Sequence, residues 1–230
     1  MVDLIILLKR VDTLSRETFR ERWMANNNAL YSHDSHCTRY IQCPVVSEPL
    51  PLPGMPTIDV SIDAIEKASF TDQPAFDAWL ASEAVARSGL PTITAAMTIH
   101  VVKSHVVRDE VKQSDHGGLL KRMVLLNRKS ALTQAQYFKH WFDIHAPLAK
   151  KVVGGSRLYI QHQALGEVSN PQAIRSLQLG LDGFSETWYD DEAELRRAGA
   201  TPEGQAVAQD NLTFGGRSKR FFFEEIPVKE

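Results

Sequence analysis

Two stretches of the 230-residue chain repeat each other. At an offset of 118 residues, Leu7-Leu8-x-Arg10 falls on Leu125-Leu126-x-Arg128, Leu14 on Leu132, Ser15 on Thr133, Phe19 on Tyr137, Trp23 on Trp141 and Leu30 on Leu148. One inserted residue then moves the offset to 119, and Tyr40-Ile41-Gln42 falls on Tyr159-Ile160-Gln161. Leucine matches arise by chance, but a matched tryptophan and a matched Tyr-Ile-Gln in the same order, with one single-residue gap, point to duplication. Such a repeat restricts the chain to folds built from two like units. The length alone suits one large domain or two of about 115 residues, and the repeat favours the second. The expected units are 1–110 and 118–230, joined by a polar linker near Arg108–Gly118 that ends in two glycines.

Within each unit the pattern of apolar residues gives the elements. Residues 2–9 and 119–126 are short runs of Ile, Leu and Val bounded by charge, which read as buried strands. Ser15 and Thr133 are N-cap hydroxyls, and Thr133 with Gln136 three residues on forms a capping box. The helices they open reach about Asn28 and Ile144. Phe138, Trp141, Phe142, His145 and Leu148 recur at spacings of three and four and form one face. Arg39–Cys43 and Arg157–His162 are strand-like in their aromatic and β-branched content. Third strands are expected at 58–67 and 182–189, and second helices at Pro74–Arg87 and Asp191–Ala198, with a separate turn past Pro202. The closing strands are placed at Ala96–Val107 and Lys219–Glu225. Each unit therefore reads β-α-β-β-α-β, the ferredoxin-like order. Four strands and two helices leave one sheet face bare, and two such units can bury those faces on each other. The fold class expected is α+β, an intramolecular, pseudo-dimeric α/β barrel.

Composition narrows the function classes. With 43% hydrophobic and 23% charged residues the chain has a core's worth of apolar material. A formal net charge of -2 with both signs interspersed offers no basic face for nucleic acid. The longest clean apolar run, Leu4–Leu8, is far short of the roughly 18 to 20 residues of a membrane helix, and no leader pattern opens the sequence, so a cytoplasmic protein without a membrane partner is expected. Cys37 and Cys43 match no zinc pattern. His33-x-x-His36 has metal-compatible spacing but no third ligand, which suits a solvated loop better. The glycine pairs lack phosphate-loop context, and no Gly-x-Ser-x-Gly elbow is present.

The second half resembles the EthD family of dimeric α/β-barrel proteins. The resemblance rests on Leu125-Leu126-x-Arg128-Lys129, Leu132-Thr133-x-x-x-Tyr137-Phe138-x-x-Trp141-x-x-x-His145-Ala146-Pro147-Leu148, Tyr159-x-Gln161, Asp182-Gly183-Phe184-x-Glu186-x-Trp188-Tyr189 and Phe221-Phe222-Phe223-x-Glu225. The first half looks like a diverged copy, with Asn27 where His145 stands and Cys43 where His162 stands. The resemblance implies a ferredoxin-like fold, a dimeric or fused barrel, and a pocket between each sheet and its helices. It implies less about reaction. The family includes an accessory protein of ether degradation and fungal relatives that look like cofactor-free dehydratases of aromatic polyketides, and the wider superfamily includes monooxygenases, cyclases, dehalogenating lyases and haem enzymes.

His145 is the first candidate for a catalytic group, one turn after Trp141 on an otherwise apolar face, where burial could tune an imidazole for proton transfer. The bland reading is a histidine that caps the helix end. His140, five residues earlier, is not expected to share its face. Tyr159 and Gln161 alternate onto one face of their strand, with Ile160 and His162 on the other. His162 has no histidine counterpart in the first half, which suits a role in one site. Glu186 lies mid-strand between Phe184 and Trp188. It must be paired, protonated or exposed, and a raised pKa would make it the acid partner of His145; Glu66 is its approximate counterpart, so a shared salt bridge is the competing reading. The catalytic candidates are thus His145, His162 and Glu186, and the substrate-binding candidates Phe138, Trp141, Tyr159, Gln161 and Trp188. The function expected is a cofactor-independent lyase, a dehydratase or eliminase, acting on an apolar, aromatic or polyketide-like molecule with no metal. The rivals are a cofactor-free or haem-dependent monooxygenase, with His145 or His162 as axial ligand, and a non-catalytic carrier of hydrophobic metabolites. A homodimer of the fused barrel is the macromolecular partnership considered. One working site per chain is expected, in the second half.

Overall fold

The computed structural model describes residues 1–82, 85, 88–115, 117–169 and 172–229, with Gln113 described by its backbone alone. Nine strands form one antiparallel sheet among these residues: β1 (Val2–Arg10), β2 (Cys37–Ser47), β3 (Ala64–Phe70), β4 (Thr94–Asp109), β5 (Leu120–Arg128), β6 (Leu158–Val168), β7 (Gly183–Tyr189), β8 (Gly215–Phe223) and β9 (Ile226–Lys229). Their order is β3-β1-β4-β6-β7-β5-β8-β2-β9, and β2 also pairs with β3, so the sheet closes on itself with β9 outside the ring. Closure removes the exposed edges that two separate half-sheets would present. Each half contributes the ferredoxin-like strand order, β2-β3-β1-β4 and β6-β7-β5-β8. The α+β barrel expected from the repeat is the fold observed.

The long strand β4 explains how the halves join. Asp3–Arg10 of β1 pair with its first part, Thr94–Val102, while its later part, Ile99–Asp109, pairs with β6. The strand therefore runs into the linker expected at Arg108–Gly118. The third strand begins later than expected, at Ala64, and residues 58–63 lead into it as irregular chain.

Inward-facing residues of both halves, among them Ile5, Leu7, Ile41, Ile65, Met123, Leu125, Phe184 and Phe221, make one shared barrel core. Strand alternation sends their neighbours outward, under the helices. In the first half these are α1 (Arg16–Tyr31), capped by Ser15, and α2 (Gln73–Leu80), capped by Asp72. In the second they are the interrupted helix α3 (Gln134–His140, Trp141–His145 and Ala146–Lys150), α4 (Glu192–Ala200) and α5 (Pro202–Phe214). Thr133 closes the expected capping box. The separate turn expected past Pro202 is a full 13-residue helix. One ion pair recurs at the same place in each half. Arg10 pairs with Asp63 and Arg128 with Asp182, and each aspartate also accepts from its arginine's backbone N–H, at 3.0 and 2.8 Å.

Candidate active site

Between the second half-sheet and its helices lies a cavity of about 790 Å³, lined by Trp141 and His145 of α3, Tyr159 of β6, Ser185 and Thr187 of β7, and residues of β5, β8, α4 and α5. The first half contributes a wall: Ser47 at the end of β2, and Glu48, Pro49, Leu50, Leu52, Pro53 and Met55 in the connection from β2 to β3, also line the cavity.

His145 owes its placement to an irregular turn. Trp141–His145 is a π-helix, in which Ala146 N–H bonds back to the carbonyl of Trp141. The widening has a local cause. Pro147 has no N–H, and its ring would crowd the carbonyl of Asp143 in a regular α-helix. A turn of this pitch brings residues five apart onto one face, so the expectation that His140 and His145 point apart is corrected. Both reach Asp210 of α5. His145 Nδ1 lies 2.8 Å from Asp210 Oδ2, and His140 Nε2 lies 2.8 Å from Oδ1. Burial pushes the Asp210 carboxyl up, but the bonds from His145 and His140 outweigh it and hold the group below its ordinary range. An ionised carboxylate only accepts, so Nδ1 carries a ring proton, and in the neutral imidazole Nε2 is the nitrogen with the lone pair. Among the described residues Nε2 has no protein partner, and His145 lines the cavity.

Tyr159 and Gln161 do face the helices. Gln161 lies fully buried beneath the cavity, donating from Nε2 to the Trp141 carbonyl at 3.0 Å and to the Tyr159 hydroxyl at 2.9 Å. Tyr159 lines the cavity with its hydroxyl proton uncommitted to Gln161, and burial pushes its pKa up to about 12, so it stays a donor. Phe138 packs behind Trp141 and Phe142, away from the cavity lining.

His162, Glu186 and Trp188 point the other way, into the barrel. His162 Nε2 lies 3.2 Å from Glu186 Oε2, and its Nδ1 lies 2.9 Å from Ser104 Oγ. With both nitrogens engaged it offers no site for iron. Glu186 Oε1 accepts from Lys67 Nζ at 2.8 Å and from Trp188 Nε1 at 2.7 Å, and Lys67 also pairs with Glu225. Burial raises the Glu186 carboxyl, but Lys67 and His162 outweigh it and leave it well below the ordinary range. The expected raised pKa is corrected to a lowered one, and the acid partnership with His145 is ruled out by the intervening sheet. The assumed match to Glu66 fails as well. Ile6 pairs with Glu66 as Val124 pairs with Ser185, so Ser185 is its counterpart, and Lys67 is that of Glu186. Of the eight residues singled out from sequence, the cavity thus gathers His145, Trp141 and Tyr159, with Gln161 in support.

Asp210 was not among the sequence candidates. Its signal was the helical spacing of Val207, Asn211 and Phe214 after the Thr201-Pro202 start, which places Asp210 beside an inward face. At His33-x-x-His36, Asp34 Oδ1 accepts from the backbone N–H groups of His36 and Cys37, at 2.7 and 3.0 Å. Among the described residues no group of three His, Cys, Asp or Glu side chains could hold a metal ion, and no helix is long and apolar enough to cross a membrane.

Residues 129–218, which span the interrupted helix, β6, β7, α4, α5 and the start of β8, match the family model described as EthD domain. Those residues of the second half are similar to an EthD domain. No curated protein matches. Among solved structures, an anthrone oxidase-like protein superposes with a TM-score of 0.67 at 9% identity, over 100% of this chain and 93% of that one. Chlorite dismutase from Candidatus Nitrospira defluvii gives 0.51 at 10% identity, over 99% and 91%. An EthD family protein from Bacillus halodurans is 25% identical over 48% of this chain and 98% of its own, with a TM-score of 0.34. At these identities the first two show a shared fold over the whole barrel, and nothing further.

Proposed function

We propose that the chain is an enzyme that moves a proton on a small aromatic molecule bound in the second-half cavity, with His145 as the base. The observation that carries this reading is the Asp210–His145 pair at 2.8 Å, which fixes the imidazole tautomer so that the unprotonated Nε2 is the atom left for a ligand. A cavity wall that includes Trp141 and Tyr159 suits an aromatic ring.

The reaction class assigned is the elimination of water. His145 Nε2 takes a proton from carbon beside a carbonyl, and the electron pair moves onto the carbonyl oxygen as an enolate. Asp210 stabilises the imidazolium that results. The Tyr159 hydroxyl, to which Gln161 and Ser185 donate, and the Thr187 hydroxyl are the donors available for the enolate oxygen. The imidazolium then returns its proton to the departing hydroxyl; one C–H and one C–O bond break, a C=C bond forms, and water leaves. One imidazole serves as both base and acid, because His162 and Glu186 lie on the far side of the sheet. No group beyond the chain's own side chains enters this scheme.

The test is incubation with a metabolite extract followed by mass spectrometry, comparing wild type with His145→Ala. The reading predicts a product lighter by one water, formed about 10²- to 10⁴-fold more slowly by the variant. A product heavier by oxygen would reassign the chain to oxygenases, a Soret band on adding haemin, absent in His145→Ala, would reassign it to haem enzymes, and a ligand recovered unchanged would make it a carrier. Full turnover by His145→Ala would remove His145 from the mechanism.

A further inference from the structure

Two arginines also line the cavity, on adjacent strands of its sheet wall. Arg122 of β5 pairs with Phe222 of β8, and Val124 pairs with Arg220, so the two guanidinium groups are diagonal neighbours on the helix-facing side. Arg122 donates from Nε to Thr187 Oγ1 at 3.1 Å and from Nη2 to the Tyr189 hydroxyl at 3.2 Å. Arg220 donates from Nη1 to the carbonyl of Leu50 at 3.3 Å, while its buried Nε has no partner. Among the described residues neither arginine has a carboxylate within ion-pair distance. The carboxylates around them are committed elsewhere, Glu48 to Lys219 at 2.6 Å, Glu192 to Arg196 at 2.8 Å, and Asp210 to the histidines. Burial, reinforced by the neighbouring charge of Arg122, lowers the pKa of Arg220 to about 10.

Two half-buried like charges on one cavity wall, with no protein counter-ion among the described residues, are costly to hold together. The first half lacks them: the register puts Leu4 where Arg122 stands and Ile99 where Arg220 stands. The positive pair occurs where the cavity is open and is absent where it is filled. We infer that Arg122 and Arg220 form an anion subsite, and that the ligand of this cavity is an aromatic carboxylate whose carboxylate they hold. A guanidinium fork matches a planar carboxylate, and Arg220 Nε supplies a donor already stripped of water. The inference rests on the reading of the cavity as an aromatic site, and it does not depend on the role of His145.

The test uses 2-naphthoate and its neutral analogue 2-naphthamide as probes, with binding followed by isothermal titration calorimetry on the full chain. Wild type should bind the carboxylate at least ten-fold more tightly than the amide. Arg122→Leu and Arg220→Ile, which install the first-half residues, should each reduce that preference while leaving amide affinity within about two-fold. His145→Ala should keep the preference, so a failure of the catalytic assignment stays distinct from a failure of this one. Equal affinity for the two probes in wild type, or a preference that survives in both arginine variants, would overturn the anion subsite. Absence of binding by either probe would overturn it together with the aromatic cavity on which it rests.

Discussion

The space between sheet and helices is filled in the first half and open in the second, although the two halves share strand order, register and capping. Four matched positions account for most of the difference. Tyr31, Phe76 and Trp79 in the first half stand where Ala149, Leu195 and Ala198 stand in the second, and Asn27 stands where His145 does. Tyr31 stacks on Tyr40 with ring centroids 3.6 Å apart, and Trp79 stacks beside Tyr31 at 5.6 Å. Only about 10 Å³ remains there, room for about one water probe. In the second half the matching Tyr159 meets Ala149, and its ring face is left to the cavity. The polar groups diverge in the same sense. Asn27 and Trp23 both donate to Glu66 Oε1 at 2.6 Å, which closes a buried network, whereas Ser185 in place of Glu66 frees His145 for Asp210. One backbone serves as a packed support and as a container, and side-chain volume at a few positions decides which.

Exchanging properties between the halves can break this comparison. The largest effect is expected from Trp79→Ala, which should cost about 4 kcal/mol of stability in urea unfolding, as aromatic-to-alanine cavities do. Because the filled half holds no site, turnover at saturating substrate should not change; a parallel loss of kcat in still-folded protein would show that the first half takes part in catalysis. Next comes Glu66→Gln. Burial pushes the Glu66 carboxyl up to about 7 from an ordinary value of 4.5, outweighing its hydrogen bonds. Between those values the folded chain keeps a proton that the unfolded chain releases, so stability falls as pH rises through that window and stays lower above it. Glu66→Gln should remove this slope, gaining on wild type by about 3 kcal/mol between pH 4 and pH 8. Unfolding curves whose difference is independent of pH would refute it.

Smaller effects are expected from the open half. Asp210→Asn should lower kcat about 10²-fold, close to 3 kcal/mol, with KM little changed, because the amide no longer fixes the tautomer or balances the imidazolium. A rise in KM with kcat intact would make Asp210 a wall of the cavity and not a partner of the base. Ala149→Tyr, which imports Tyr31, should raise KM about ten-fold by filling space above Tyr159. Unchanged kinetics would count against the second-half cavity as the place where substrate binds.

The repeat made the architecture legible, because a matched Trp23–Trp141 and Tyr40–Tyr159 fix the same helix and strand in both halves, and a bare sheet face in each half demands the other. The strand alternation that puts Tyr159 and Gln161 opposite His162 was equally plain. What the repeat could not show was which face each residue of β7 takes. A single-residue change of offset separates Glu186 from Ser185, and that one step exchanges the cavity for the barrel interior. The π-helical turn was hidden because spacing rules assume 3.6 residues per turn. Asp210 was hidden because it acts across 65 residues of chain, from a helix mistaken for a turn.

The central claim is that one ligand site exists per chain and that it lies in the second half. The most direct measurement is the calorimetric stoichiometry of 2-naphthoate binding to wild type and to Ala149→Tyr. The account predicts one ligand per chain in wild type and at least ten-fold weaker binding in the variant. Two ligands per chain, or one bound with undiminished affinity in Ala149→Tyr, would contradict it.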